Sequence, residues 1–425
     1  MAKVITTELL HSGASGANVT LDSSKNVTFG GNVSVTGTLP ADKLTGNLPA
    51  ISGASLTGIP TRTTPFRNLL QNGAFQVAQR GTSSTNASYY HTVDRWAFYV
   101  GGHDEVPTQE QVSLSSSDTG PWEKGFRKAF KLTNGNQTGG VAAGDQCEFF
   151  QEIEAQDLVQ SNWNTRSGSS YATLSFWIKS SVAQNFYGYL RTNDNTKQLY
   201  AFETGSLSAN TWTKVTKQIP GHANLDINND NGAGMVVRIT PWYGTDYTGT
   251  RPLNAWAAYD GAARTPDQTS TWWTTNDATL AFTGFQLEAG STATDFEHIS
   301  YGAELDRCER FYQVIATDIY DPLCHGAAFA GDMVQGCVHF HKPFRAEPSM
   351  VKAGGTDWLI FRYSKYGSDA NASCGGDDFN LQQVSETMAN IRFTGFNFGD
   401  NNTMGAGGLL YTQNASASLA FSADL

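Results

Sequence analysis

Phe285 to Ile315 reads FQLEAGSTATDFEHISYGAELDRCERFYQVI, and its reading divides the rest of the chain. Ala303 to Val314 contains neither Gly nor Pro. Leu305, Cys308, Phe311 or Tyr312 and Ile315 recur at three- to four-residue spacing, the period of a helix with one apolar stripe. Glu304 and Asp306 come first and Arg307 and Arg310 follow, the order that the helix dipole favours. Ser300 or Gly302 is placed to cap it. Short strands and turns lie on either side. The expectation is a linking helix over residues 301–315 between two β blocks.

That strand-and-turn texture fills the 425 residues. The chain carries 43 Gly, aromatics reach 12% and charged residues only 16%, which suits an all-β chain rather than a helical bundle. A net charge of −11 leaves no basic stripe to displace phosphate counterions, so nucleic acid is not an expected partner. No apolar run reaches the ~18 residues of a spanning helix, so no membrane insertion is expected. The opening MAKVITTELLHSGASG lacks the apolar core of a secretory signal. Cys147, Cys308, Cys324, Cys337 and Cys374 show no CxxC spacing and read as reduced, buried thiols of a protein made in a cytoplasm. No P-loop, dinucleotide fingerprint or nucleophile elbow appears, so no cofactor is expected.

Residues 1–17 form a short Gly- and Ser-rich lead. Residues 18–65 then carry regular apolar pairs: Val19 and Leu21, Val27 and Phe29, Val33 and Val35, followed by two Leu-Pro-Ala…Leu-Thr-Gly repeats at 39–46 and 48–58. Pieces this thin have no core of their own. Three copies around a threefold axis, apolar residues inward, would give them one; the alternative is a polar linker.

From Phe66 onward the pieces lengthen. Asn68 to Gly81 reads as a strand with an Asn-Gly turn, and His91 to Val100 as another. Ala129 to Leu132, Glu148 to Ile153, Ala172 to Lys179, Phe186 to Arg191, Trp212 to Ile219, Met235 to Thr240 and Leu280 to Glu288 complete a β-sandwich of jelly-roll type. Trp242 to Trp273 reads as a long loop layer. After the linking helix, Val334 to Met350, Trp358 to Ser364, Ala389 to Phe396 and Ser418 to Leu425 read as a second all-β unit.

Several stretches then resemble bacteriophage tail-fibre proteins. They are Asn72-Gly73-Ala74-Phe75, Gln79-Arg80-Gly81, Asp94-Arg95-Trp96, Thr173 to Lys179, Thr211 to Val215, Phe285-Gln286-Leu287-Glu288, Arg310-Phe311-Tyr312, Pro343-Phe344-Arg345-Ala346 and the ending Ala423-Asp424-Leu425. They cover roughly 66–350 and the last residues. The usual family ending is closer to Ala-Glu-Leu. The resemblance implies a homotrimeric virion fibre, made in the host cytoplasm, that attaches the particle to a host cell-surface glycan. It implies a virion-anchoring segment (1–17) held by other tail or baseplate proteins, a trimeric shaft (18–65), a carbohydrate-binding-like jelly roll (66–300), the helix (301–315) and a receptor-binding β-sandwich tip (316–425). No catalysis is expected, because strand-end acids arise often by chance and no extended β-helix repeat appears. The alternatives are a fibre-borne polysaccharide depolymerase and a cellular carbohydrate-binding module.

The residues themselves offer several candidate sites. Trp242, Tyr243, Trp256, Tyr259, Trp272 and Trp273 fall in the loop layer, where rings with polar edges suit sugar faces; packing between chains or domains is the alternative. Trp358, Tyr363, Tyr366 and Asp369 mark loops of the last domain, which would face the host first if that domain is the distal tip. His339 and His341 share one face if the strand continues, so three copies would offer six nitrogens to a metal. Asp226, Asn228 and Asp230 place oxygens at alternate positions like half a Ca²⁺ loop, against the reading of a plain polar hairpin. Glu148, Glu152, Glu154 and Asp157 are the carboxylates a depolymerase would draw on.

Overall fold

The computed structural model describes residues 8–9, 19–21, 27–29, 67–268, 271–353, 359–365, 368–374, 379–398, 404–414 and 417–425. The chain forms two compact units, Met1–Arg62 and Thr63–Leu425. In the first, β1 (Glu8–Leu9), β2 (Val19–Leu21) and β3 (Val27–Phe29) pair antiparallel in that order. Val19 lies opposite Phe29 and Leu21 opposite Val27, so two of the three expected apolar pairs share a hairpin register. Val33, Val35 and the leucine repeats lie outside the described residues.

The second unit opens with a jelly-roll sandwich. Its strands are β4 (Ser83–Ser84), β5 (Ser88–Tyr89), β6 (Ala97–Gly101), β7 (Thr108–Ser113), β8 (Lys128–Thr133), β9 (Gln146–Glu154), β10 (Tyr171–Ser180), β11 (Asn185–Thr192), β12 (Gln198–Ser206), β13 (Thr213–Pro220), β14 (Ala233–Tyr243), β15 (Trp256–Ala258) and β16 (Thr279–Ala289). One sheet runs β13-β10-β16-β8-β7-β4 and the other β15-β12-β11-β14-β9-β6-β5, with antiparallel pairing throughout. Alternation explains the faces: Leu174, Phe176 and Ile178 of β10 and Phe149 and Ile153 of β9 enter one core. Rings dominate that core. Phe149 stacks on Phe130 at 4.2 Å, on Trp96 at 4.8 Å and on Phe282 at 5.3 Å.

The stretch 68–81 is not the expected strand but a buried plug. Asn72 has φ 52° and Phe75 φ 54°, left-handed values that break a strand. Isolated backbone bonds, such as Leu69 N to Leu287 O and Phe285 N to Gly73 O, are joined by side-chain ones: the Asn72 amide donates to Val77 O and Asp94 O, and its oxygen accepts from Val77 N. Gly73 is obligatory, since a Cβ there would lie 2.0 Å from Phe285 O. The plug seats Phe75, fully buried, among Trp96, Phe130, Phe149 and Phe285.

A short helix α1 (Ala155–Val159) follows β9, and α2 (Tyr301–Cys308) is the linking helix. The Ser300 hydroxyl caps α2 by accepting from Ala303 N. The helix ends at Cys308, not near 315. Residues Tyr312–Ala316 are instead strand β17, paired with a strand near the C-terminus. The run Phe-Tyr-Gln-Val-Ile is aromatic and β-branched, and an available partner strand decides it.

Beyond α2 lie β18 (Pro322–Ala330), β19 (Met333–His339), β20 (Ser349–Ala353), β21 (Leu359–Lys365), β22 (Ser368–Cys374), β23 (Phe379–Val384), β24 (Met388–Phe393), β25 (Gly407–Thr412) and β26 (Ser418–Ser422). They form a three-stranded sheet, β17-β26-β20, and a seven-stranded sheet, β22-β21-β25-β18-β19-β24-β23, over one core that includes Phe344, Phe361, Phe393 and Phe421. Cys147, Cys308 and Cys324 are buried as expected. Cys337 is exposed, because it alternates outward from Val334 and Val338 on β19.

This C-terminal β unit docks on the jelly roll through cations. Arg310 grips Glu154 at 2.8 and 2.9 Å. Arg345 donates to Asn231 O at 2.6 and 3.1 Å and to Ala423 O at 3.2 Å. Arg80 pairs with Asp424, and the Tyr90 hydroxyl donates to Leu425 O.

Candidate functional site

In the sandwich's seven-stranded sheet, Phe98 and Val100 of β6, Cys147, Phe149 and Ile153 of β9, Met235, Val237 and Ile239 of β14, and Leu190 of β11 point into the core. Their neighbours must face outward. Register sets Phe150 opposite Arg238 and Arg238 opposite Tyr189, with Tyr99 opposite Glu148 one row along. Residues 244–268 fold back over this face, and their Tyr247, Leu253 and Tyr259 pack against Tyr189 and Tyr243. The result is a pocket of about 260 Å³ lined by Tyr89, Tyr99, Gln146, Glu148, Phe150, Arg191, Arg238, Tyr259 and Arg264.

Its floor is one carboxylate. Glu148 is 2% exposed and accepts from Arg238, from the Tyr243 hydroxyl and, at 3.1 Å, from Arg264 Nη1. Burial, and then the Glu148 charge, pushes the Tyr243 hydroxyl pKa far up, so Tyr243 is a neutral donor at any ordinary pH. Arg238 lies over the Phe150 ring at 4.0 Å and Arg264 over Tyr247 at 4.5 Å. Arg191 stands to one side. Its Nε and Nη2 donate to Asn193 Oδ1 at 3.2 and 2.8 Å, and it lies over Tyr259 at 5.2 Å. At the rim, Tyr89 is 57% exposed, 6.3 Å between ring centres from half-buried Tyr99. Such an arrangement can press flat rings on a ligand while fixed donors meet its oxygens.

Only part of the aromatic set expected from the loop layer reaches this site. Tyr259 lines it and Tyr243 lies beneath it. Trp242, Trp272 and Trp273 belong to the sandwich core; Trp272 and Trp273 are wholly buried and act as packing residues, while Trp242, 5% exposed, lines a separate hollow of about 250 Å³ with Tyr243 and Gln268. Trp256 sits on edge strand β15, packed on Tyr200 at 5.4 Å with its Nε1 donating to Pro220 O. Tyr363 is buried in β21 rather than on a loop, stacked on Phe361 at 5.5 Å. Asp369 falls within β22, opposite Ser364 and again not on a loop, while Trp358 and Tyr366 lie outside the described residues.

The metal candidates disperse. Asp226 pairs with Arg166 at 2.9 Å, Asn228 binds Asp194 through its backbone and amide, and Asp230 accepts from Gly232 N. These oxygens serve a polar loop before β14 instead of converging. Strand β19 ends at His339, so His339 and His341, both exposed, do not continue one strand face. Among the described residues no three His, Cys, Asp or Glu side chains gather as a metal site.

Sequence reasoning missed Tyr89, Tyr99, Gln146, Phe150, Arg191, Arg238 and Arg264. One signal was present: Arg238 interrupts the apolar run Met-Val-Val-Arg-Ile, and a charge there marks the outward side of a strand.

No family model and no curated protein matches the sequence. Among solved structures, the chain is similar to the enzymatically active domain of tailspike protein 4 from bacteriophage CBA120, at 15% identity and TM-score 0.27 over 53% of this chain and 22% of that one. It is similar to a putative sugar binding protein from Bacteroides thetaiotaomicron, at 11% identity and TM-score 0.28 over 52% of this chain and all of that one. It is similar too to the family 11 carbohydrate-binding module from Clostridium thermocellum, at 11% identity and TM-score 0.23 over 51% of this chain and 97% of that one. Likenesses this distant carry no function to this chain.

Proposed function

We propose that this chain is a glycan-binding fibre protein that attaches a phage particle to its host's surface polysaccharide. One observation carries the binding half: the pocket on the jelly roll's seven-stranded face. There the rings of Tyr89, Tyr99 and Tyr259 surround guanidinium and amide donors held by Glu148, Asn193 and Tyr247. The attachment half is supported by the resemblance drawn from residues 66–350 and the ending, whose scattered arginines, Arg80, Arg95, Arg310 and Arg345, meet at one joint with Phe311, Tyr312 and Asp424. Three weak sites on one homotrimer would multiply in avidity.

The reading is binding without catalysis. Glu148 and Glu154, two of the carboxylates a depolymerase would use, are each consumed by arginines. The test measures the intact chain against host polysaccharide by calorimetry, with Tyr259→Ala as the control, alongside light scattering. Saturable binding, weakened about tenfold in the variant, without release of reducing ends, and a mass near three times 45.9 kDa are expected. Depolymerised polysaccharide would overturn the non-catalytic reading, and a monomer the trimeric one.

A further inference from the structure

The pocket is unequal in charge. Arg191, Arg238 and Arg264 line it against one carboxylate, Glu148, within a chain whose net charge is −11. Arg238 and Arg264 both spend their charge on that carboxylate. Arg191 does not: its partners are the neutral Asn193 oxygen and the Tyr259 ring, and among the described residues no carboxylate lies within ion-pair reach of it. The next acid on this face, Glu152, takes its contact at 3.5 Å from the Asn193 amide. The opposite sheet offers a contrast. Its larger hollow, about 360 Å³ beside Trp177 and Phe296, balances Glu123 and Asp295 with Lys124 and Lys214.

We propose that the pocket selects an acidic saccharide, a uronic acid or other carboxylate-bearing sugar, whose carboxylate pairs with Arg191 while its ring lies against Tyr259 and Tyr99. Two features of Arg191 suit it to that task. Its guanidinium is already held by two bonds to the Asn193 oxygen and lies over the Tyr259 ring, so little side-chain freedom is lost on binding. A planar fork then meets a carboxylate with charge-assisted hydrogen bonds, stronger than those to a hydroxyl. The inference rests on the glycan-binding reading and narrows it to a chemical class.

The intact protein is titrated with a panel of uronate- and sialate-containing oligosaccharides, each beside its carboxyl-reduced neutral counterpart. Acid forms should bind at least about tenfold tighter at low salt, the value of one charge-assisted bond. The advantage should shrink as salt is raised. Arg191→Gln should erase the difference between acid and neutral members without moving the thermal midpoint, and Arg191→Lys should keep part of it. Equal affinity for acid and neutral members, or a preference untouched by Arg191→Gln, overturns the acidic selection and leaves glycan binding standing. Binding of no member overturns both.

Discussion

The guanidinium carbon of Arg95 lies 3.4 Å from the centre of the Phe311 ring. Arg95 belongs to the jelly roll, where it donates to Gln71 Oε1 and Glu152 O, and Phe311 closes the turn after α2. Arg80 repeats the arrangement over Tyr312 at 3.6 Å. Both cations face Asp424, which pairs with Arg80 and lies 3.9 Å from Arg95 Nη1. At the centre of the joint between the jelly roll and the C-terminal β unit are therefore two arginine–aromatic stacks closed by one carboxylate.

Asp424→Asn leaves two buried guanidiniums without their counter-charge. A loss of about 3 kcal/mol is expected, the usual effect of breaking a buried pair from one side. Chemical denaturation followed by tryptophan fluorescence measures it. A change below about 0.5 kcal/mol would mean that Asp424 adds nothing measurable and that the joint is held by its other contacts.

Glu148→Gln should lower stability and glycan affinity together, because Arg238 and Arg264 lose the group that positions them. A loss of about 3 kcal/mol is expected. A catalytic acid would behave differently: its amide would keep binding and stop turnover. Affinity and unfolding measured on the same sample separate the two.

Trp272→Ala and Tyr259→Ala test where the aromatics act. Trp272 is wholly buried, so its removal should cost about 3–5 kcal/mol of stability. Tyr259 lines the pocket, so its removal should weaken binding by roughly tenfold with little change in the melting midpoint. The opposite pattern would move the ligand to the core side of the loop layer.

Asp118 predicts a pH dependence. Burial opposes its charge, but donation from Lys179 Nζ, Trp212 Nε1 and Ser115 N prevails and holds its carboxyl down to about 2. A carboxyl lower in the folded state than its unfolded value of about 3.9 adds stability that is complete above that value and lost as pH falls toward 2. Asp118→Asn should remove that part of the acid slope in urea titrations between pH 4 and 2. An unchanged slope would assign acid sensitivity to other carboxylates.

Much of the fold was legible in the sequence, since alternation is a local signal. The faces of β10 and β19 follow from their alternating apolar residues, whereas β9 and β14 carry adjacent apolar residues, Phe149-Phe150 and Met235-Val236-Val237, that face opposite ways. The plug at 68–81 was not legible, because its strandless path is held by partners some 217 to 232 residues away, as where Asn68 binds Phe285 O and Asn72 N meets Glu304. The length of α2 was misread because β26, which recruits Tyr312 to Ala316, lies more than a hundred residues on. For the site, loop position marked Tyr259 but equally Trp272 and Trp273. Burial, the property that separates them, is set by tertiary packing, and no residue type announces it.

The plug also sets an order of events. Phe75 is among the first sandwich residues a ribosome delivers, and Phe285 and Glu304, which complete its seat, are among the last. A nascent chain stopped short of them carries most of the strands with no closed core. Contacts of such long sequence separation make folding slow and leave strand edges open meanwhile. Synthesis of this protein therefore passes through a long interval in which a nearly finished sandwich is still prone to aggregate.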